Sequence, residues 1–266
     1  MGELTKVNLS IKEVEQLLEE NCMICDSIIE KIKADNRKGV QKAFLKWEKK
    51  REKEQLLEEN FQEMLKYEQQ LRMRKISLIA GIDEVGRGPL AGPVVAAAVI
   101  LPENFKLLGL TDSKKLNKKN RETFYETITT EAVSIGIGVV SAEEIDRVNI
   151  YEATKIAMQQ AINELSVTPE HLLIDAMQLP TTIEQTSIIK GDSKSISIAA
   201  SSIIAKVTRD RYMERLAKQL PHYGFDKHMG YGTVEHLNAI DRHGICVEHR
   251  KSFAPIRERC FTNTLF

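Results

Sequence analysis

From Ser10 to about Arg74, apolar residues recur at helical spacing through a stretch rich in Glu, Lys, Leu and Gln and free of proline, which predicts helices. Ser10-Ile11-Lys12-Glu13 fits a capping box, in which the Ser and Glu side chains each satisfy an orphan amide of the first turn. The first helix is expected to run to about Ala34, with Asp35-Asn36 turning the chain. A second begins near Lys38 and carries Phe44, Trp47, Leu56, Leu57, Phe61, Leu65 and Tyr67, with Gly39 weakening its first turn. Beyond Lys75 the pattern changes to alternating strands and helices punctuated by Gly and Pro, the texture of a mixed α/β domain. Strands are predicted at 77–83, 94–101, 134–140, 172–175 and 187–190, and helices at 118–130, 150–165, 195–219 and 233–241, the last ending against Gly244. The expected organisation is therefore a helical extension over residues 1–74 and a catalytic α/β domain over 75–266.

Composition changes this picture little. The 266 residues carry 38 Lys and Arg against 38 Asp and Glu. Any nucleic-acid binding must then come from local patches, because no global basic field exists. Met1 to Lys12 lacks the apolar core of a secretory signal and no run approaches the length that spans a bilayer, so no membrane partner and a cytoplasmic location are the default expectations. Cys22, Cys25, Cys246 and Cys260 are too sparse for a disulfide framework, and reduced thiols are expected.

The chemistry concentrates at strand ends. In Gly81-Ile82-Asp83-Glu84-Val85-Gly86-Arg87-Gly88-Pro89-Leu90-Ala91-Gly92-Pro93 an apolar strand ends in two adjacent acids, followed by three glycines. Neighbouring acids on a strand point to opposite sides, the glycines let another backbone come close, and Arg87 offers a planar donor fork for phosphate. Asp175 closes the apolar run from His171, and Asp192 follows Ser187–Gly191. Taken singly, each acid is as readily a cap or a turn residue. Taken together, four carboxylates at one sheet edge repel one another, which raises some of their pKa values and favours divalent cations. Oxygen-only ligands suit Mg2+ or Mn2+ rather than zinc.

The run Gly81–Pro93 resembles the signature of ribonuclease HII. The resemblance continues in order through Asp112-Ser113-Lys114-Lys115-Leu116, Lys190–Ser195, Ala199–Val207, Tyr223-Gly224-Phe225, His228–Thr233 and His249–Phe253, covering nearly everything after Lys75. It implies a ribonuclease H-like fold, a mixed central sheet flanked by helices, with Asp83, Glu84, Asp175 and Asp192 as catalytic metal ligands. It implies that Gly86-Arg87-Gly88 senses the ribose 2′-hydroxyl and adjoining phosphates at an RNA–DNA junction, and that Tyr231 stacks on the deoxyribose beyond it. Lys114, Ser195 and Ser201 are candidate phosphate contacts by position. The implied activity is cutting of the RNA strand of RNA–DNA hybrids and cutting 5′ of single ribonucleotides in DNA duplexes, with roles in ribonucleotide excision and primer removal. The mechanism this implies is attack on phosphorus by a water that one divalent ion would activate, with a second ion that would stabilise the leaving oxygen, giving 3′-hydroxyl and 5′-phosphate ends. Ribonuclease HIII, which usually shows Lys at the Arg87 position, Glu at the Asp192 position and a β-rich leader, is the nearest competitor. A same-fold DNA nuclease or integrase would share the carboxylates but ignore the 2′-hydroxyl, and a non-catalytic adaptor would need none of the four acids.

Further features carry less. Cys22-Met23-Ile24-Cys25 with Cys246-Val247-Glu248-His249 also describes two halves of a zinc site, though such spacing on a helix is ordinary core packing. His228 and His249 either hold loops or touch substrate. The Lys and Arg residues from Lys42 to Lys53, interleaved with Glu48 and Glu52, read as a solvated helix face. Leu265-Phe266 faintly resembles the Leu-Phe peptides that dock on bacterial sliding clamps, although a chain terminus of this kind also packs simply against its own fold. A monomer is expected.

Overall fold

The structure, a computed structural model, describes residues 9–20 and 24–262. Cys22, Leu265 and Phe266 lie outside the described residues. The chain divides into two compact units, Met1–Asn60 and Phe61–Phe266.

The first unit holds α1 (Ile11–Glu20), α2 (Asp26–Lys33) and most of α3 (Lys38–Met64). The capping box forms, with the Ser10 amide donating to Glu13 Oε2 at 2.7 Å and the Glu13 amide to Ser10 Oγ at 3.3 Å. The single helix expected up to Ala34 is instead two. Cys25 is extended at the N-cap of α2, and Asp26 places a negative charge on the new N-terminus, where the helix dipole favours it. Asp35 closes the next turn by accepting from the Arg37 amide and guanidinium, at 2.9 and 3.0 Å. Val14, Leu18, Ile32, Val40 and Phe44 form this unit's core.

The second unit contains α4 (Lys66–Met73), β1 (Ile79–Val85), β2 (Val94–Ile100), α5 (Lys118–Glu131), β3 (Ser134–Val140), α6 (Ala142–Val148) and α7 (Ile150–Asn163), then β4 (His171–Asp175), β5 (Glu184–Ile188), α8 (Ile196–Gln219), α9 (Phe225–His228), α10 (Val234–His243) and α11 (Ala254–Thr262). The sheet order is β3-β2-β1-β4-β5, with β1, β4 and β5 mutually parallel and β2 antiparallel to both β1 and β3. This is the mixed sheet flanked by helices that the sequence predicts. All seven residues of β2 are buried, as a strand covered on both faces requires. On one face Ile82, Ala96, Ala98 and Ile174 pack with Ala157, Met158 and Ala161 of α7. On the other, Ala97 and Val99 pack with Ile196, Ala200, Ile203 and Ile204 of α8.

Two expectations shift. β5 begins at Glu184, three residues before the predicted start, because its polar residues suit an edge strand and give no apolar signal; Lys190, with φ 57°, already turns the chain. α6 is too short to show a helical period, although Ser141 caps it through the Glu144 amide. The compact units divide at Asn60 because Phe61, Met64 and Leu65 bury themselves with the α8 side of the sheet. Among the described residues no helix is long and apolar enough to cross a membrane.

α4 is fastened by a buried carboxylate. Glu68 is 1 % exposed and its Oε1 accepts from Ser195 Oγ at 2.6 Å and from the Ser197 amide at 3.0 Å, serving as an acid at the N-terminus of α8. Helix α7 presses directly on β3, and glycine allows it: a Cβ on Gly138 would lie 1.9 Å from the Ala157 carbonyl oxygen. Gly138→Ala is expected to cost about 1–3 kcal/mol through overpacking, read as a lower urea midpoint with little change in slope; an unchanged midpoint would contradict this packing.

Candidate active site

Because β1, β4 and β5 are parallel, their carboxyl ends share one edge, the edge at which open α/β sheets present binding sites. Ile82 lies opposite Ile174, so Asp83 and Asp175 occupy equivalent positions on adjacent strands. The pleat alternates. Gly81 faces α8, where a Cβ would meet the Ser197 backbone at 2.0 Å, so Asp83 two residues on faces α8 as well and Glu84 starts from the opposite face. Asp192 arrives on the single 3-10 turn Gly191–Ser193 between β5 and α8. That turn is tied to β4, since Asp175 Oδ1 accepts from the Gly191 amide at 2.7 Å.

Asp83, Glu84 and Asp192 each feel the charge of Asp175. Asp83 is 6 % exposed, and burial, then Glu84 and Asp175, push its carboxyl well above the ordinary carboxylate range. Burial likewise raises Glu84, with Arg87 opposing and Asp175 adding to the rise. Burial, Asp112 and Asp175 raise Asp192, with Lys114 and Lys115 opposing. Arg87 and Lys114 border the cluster directly. Arg87 Nη1 lies 3.3 Å from Glu84 Oε1. Burial pulls the Lys114 ammonium down, but Asp112, Asp83 and Asp192 more than offset that and hold it raised.

Buried Glu84 Oε2 has no hydrogen-bond partner among the described residues. An unsatisfied carboxylate oxygen beside a second buried acid suits a hard divalent cation in chemistry, since such an ion supplies both the missing partner and the missing positive charge. The side chains are not closed on a point, however: among the described residues no three His, Cys, Asp or Glu come together as a group that could hold a metal ion. One oxygen of Asp175 is engaged by Gly191, one of Glu84 by Arg87 and one of Asp83 by the Glu84 amide at 2.8 Å, so mutual repulsion is relieved by outward partners.

The glycine-rich loop lies beside this edge. Gly86 is buried and Arg87 and Gly88 are exposed. Gly86 has φ +93°, and a Cβ there would sit 2.3 Å from Arg209 Nε, so both conformation and space demand glycine. A Cβ on Gly88 would stand 3.7 Å from Tyr231 Cε1, which brings the half-exposed Tyr231 ring to the loop. Tyr231 is steadied from behind. Its carbonyl accepts from His236 Nδ1 at 2.9 Å, His236 Nε2 meets His249 Nε2 at 3.1 Å, and His249 Nδ1 accepts from the Cys246 amide at 2.9 Å. These partners fix each ring as a neutral tautomer, and burial pushes both His236 and His249 down to about 4. His228 bonds the Tyr223 carbonyl and the Gly230 amide, so it and His249 hold loops.

Ser195 and Ser201 stand apart from the expectation. Both are 0 % exposed. The Ser195 hydroxyl donates to Glu68 and caps the Ile198 amide, and that of Ser201 donates to the Ile198 carbonyl, so helix and cap bonds take up the groups expected at phosphate. Lys114 is exposed at the acidic edge, where the sequence places it. Sequence reasoning misses Asp112, a fifth acid beside Asp192, although it opens the Asp112–Leu116 motif. It also misses Arg209 and Arg250, whose burial no periodicity announces. The zinc half-sites find no support among the described residues, where Cys25 is exposed and free and Cys246 Sγ lies 3.1 Å from His249 Nδ1.

The family model for Ribonuclease HII matches residues 80–256, and the model for the Ribonuclease HII N-terminal domain matches residues 10–72. The Ribonuclease HII of a Bacillus cereus strain is 60 % identical over 250 residues, 94 % of this chain and 97 % of that protein. That of Bacillus mycoides is 58 % identical over the same shares of each, 94 % and 97 %. Among solved structures, the ribonuclease H2 of Pyrococcus horikoshii superposes with a TM-score of 0.60 at 26 % identity, covering 71 % of this chain and 99 % of its own. Ribonuclease HII of Archaeoglobus fulgidus, solved in complex with PCNA, does so at 0.57 and 29 %, covering 66 % and 95 %. Bst-RNase HIII in complex with Mn2+, 20 % identical with a TM-score of 0.55 over 70 % of each chain, shares the fold.

A buried acid among like charges costs stability when ionised. Asp83 keeps its proton to higher pH when folded than when unfolded, so the folded state binds more protons above the ordinary carboxylate range and loses stability as pH rises there. In EDTA, Asp83→Asn is therefore expected to melt above the parent near pH 8, with the gap closing toward about pH 4; a gap that ignores pH, or one of opposite sign, would contradict the electrostatic picture.

Proposed function

We propose, from the premise that this chain belongs to the ribonuclease HII family and is a ribonuclease H enzyme, that it is an endonuclease which cuts the RNA strand of RNA–DNA hybrids and cuts 5′ of single ribonucleotides in duplex DNA. Ribonucleotide excision and primer removal are the processes this activity serves. The observation that supports the reading is the placement of Asp83, Glu84 and Asp175 toward the carboxyl ends of parallel strands, with Asp192 on the turn after the third, beside a loop of exposed Arg87 and Gly88.

Asp83, Glu84, Asp175 and Asp192 would hold Mg2+ or Mn2+ by turning inward from their present partners. Such ions, when bound, supply the Lewis acidity that makes phosphodiester hydrolysis practicable at neutral pH, with 3′-hydroxyl and 5′-phosphate products. Arg87 stands ready to exchange Glu84 for a phosphate, for which its fork is suited. Lys114 holds a positive charge at the same edge and draws the scissile phosphate toward the acids. Gly88 leaves room for the sugar under Tyr231, whose ring stacks on the deoxyribose on the DNA side of the junction. Specificity follows from pairing the 2′-hydroxyl with loop groups that deoxyribose leaves unpaired. Residues 1–74 act as a substrate-binding appendage, a reading supported by the match of residues 10–72 to the family's N-terminal domain. A sliding clamp is carried as a partner through Leu265-Phe266, on the strength of the PCNA complex of the Archaeoglobus relative. The working form is a cytoplasmic monomer.

The assay offers matched duplexes with one, four or no ribonucleotides, with Mg2+ or Mn2+. Both ribonucleotide duplexes are expected to be cut and the all-DNA duplex spared, with Asp83→Asn losing more than about a hundredfold in rate. Equal cutting of the all-DNA duplex would remove the assignment, and loss of cutting at the lone ribonucleotide alone would favour a ribonuclease HIII-like specificity.

A further inference from the structure

Arg209 and Arg250 are both 0 % exposed, and neither forms an ion pair or a hydrogen bond with a carboxylate among the described residues. Their bonds go to backbone carbonyls. Arg209 donates to Pro93, Ala91 and Met229 at 2.9, 3.1 and 3.0 Å. Arg250 donates from Nη2 to Gly86 at 2.6 Å, from Nη1 to Arg87 at 3.0 Å and from Nε to Gly92 at 3.0 Å. Burial draws these guanidiniums down to about 10 and about 9, a measure of what it costs to hold them there.

The geometry of the Arg250 bonds shows what they achieve. In a trans peptide the N–H points opposite to the C=O, and no peptide of the described chain is cis. Holding the Gly86 carbonyl inward thus turns the Arg87 N–H outward, and holding the Arg87 carbonyl inward turns the Gly88 N–H outward. Both residues are exposed, and neither amide has a backbone partner among the described residues. Two successive amides facing one way form a concavity for an anion or a lone pair. We infer that Arg250 is a positioning residue for ribose recognition: its planar fork locks two consecutive peptides so that the Arg87 and Gly88 amides meet the ribose 2′-hydroxyl and its phosphate as a preformed pair. This rests on the reading of Gly86–Gly88 as the ribose-sensing loop. Lysine, a point charge without a fork, cannot hold both planes. Arg209 is the internal control, equally buried and charged but gripping the loop further along.

The experiment measures binding of a duplex with one ribonucleotide and of the matched all-DNA duplex, in EDTA so that no strand is cut, for the parent, Arg250→Lys and Arg209→Lys. Both variants are expected to melt lower, but only Arg250→Lys should lose the preference for ribose, by about tenfold, the worth of roughly one hydrogen bond. A parent-like preference in Arg250→Lys would overturn the inference, as would an equal loss in Arg209→Lys. A parent without any preference would instead defeat the ribose reading of the loop, and this inference with it. Should Arg250→Lys fail to fold, NMR of the parent decides: the ribonucleotide duplex is expected to slow solvent exchange of the Arg87 and Gly88 amides where the all-DNA duplex does not, and equal exchange would overturn the inference.

Discussion

Parallel pairing of β1 with β4, in the register that sets Ile82 against Ile174, forces Asp83 and Asp175 to lie side by side at the end of the sheet. The isoleucines are fully buried against α7 and Gly81 lies against the α8 backbone where a Cβ has no room, so a one-residue slip would drive an isoleucine into α8 and is strongly disfavoured. The register that hides the isoleucines is thus the register that crowds the acids. Pairing of β4 with β5 then fixes the turn that carries Asp192, and the Gly191 amide fastens that turn to Asp175. Hydrophobic burial holds the acids at this edge, and burial first, with the neighbouring acids after it, raises the carboxyls of Asp83, Glu84 and Asp192. A site of this kind favours positive charge of any origin, and Arg87 and Lys114 supply part of it.

Much of this is legible in the chain itself. An apolar run ending in an acid is a pattern that one strand displays completely, and so β1 and β4 with their terminal acids can be read directly. β5 cannot, because an edge strand needs no apolar face, and its polar residues Glu184, Gln185 and Thr186 look like loop. The division at Asn60 is hidden for a related reason. The apolar stripe of α3 and α4 looks the same whether it is covered by the helices before it or by the sheet after it, and only packing shows that Phe61 and Leu71 belong with the latter. Ser195 and Ser201 suggest phosphate contacts by their place in a motif, whereas the fold turns them inward to Glu68 and the α8 backbone. The arginines that grip the glycine loop are invisible in the sequence because they act on carbonyls, which every residue possesses and no sequence distinguishes.

Two kinds of support therefore surround the acids. α8 covers the sheet face and is capped by Glu68 from α4, so the segment ahead of the first strand takes part in setting the turn that bears Asp192. On the other side, Arg209, Arg250 and the neutral His236–His249 pair fix the glycine loop and Tyr231 through backbone atoms. Rigid surroundings of this kind would suit the metal centre proposed for the four acids.

Anomalous diffraction at the manganese edge, from crystals of the chain grown with Mn2+ and a duplex holding one ribonucleotide, would locate any ions among the acids. Manganese peaks in bonding contact with oxygens of Asp83, Glu84, Asp175 and Asp192 are expected, with the Glu84 carboxylate released from Arg87. Peaks elsewhere, with these four side chains still facing their present partners, would contradict the account.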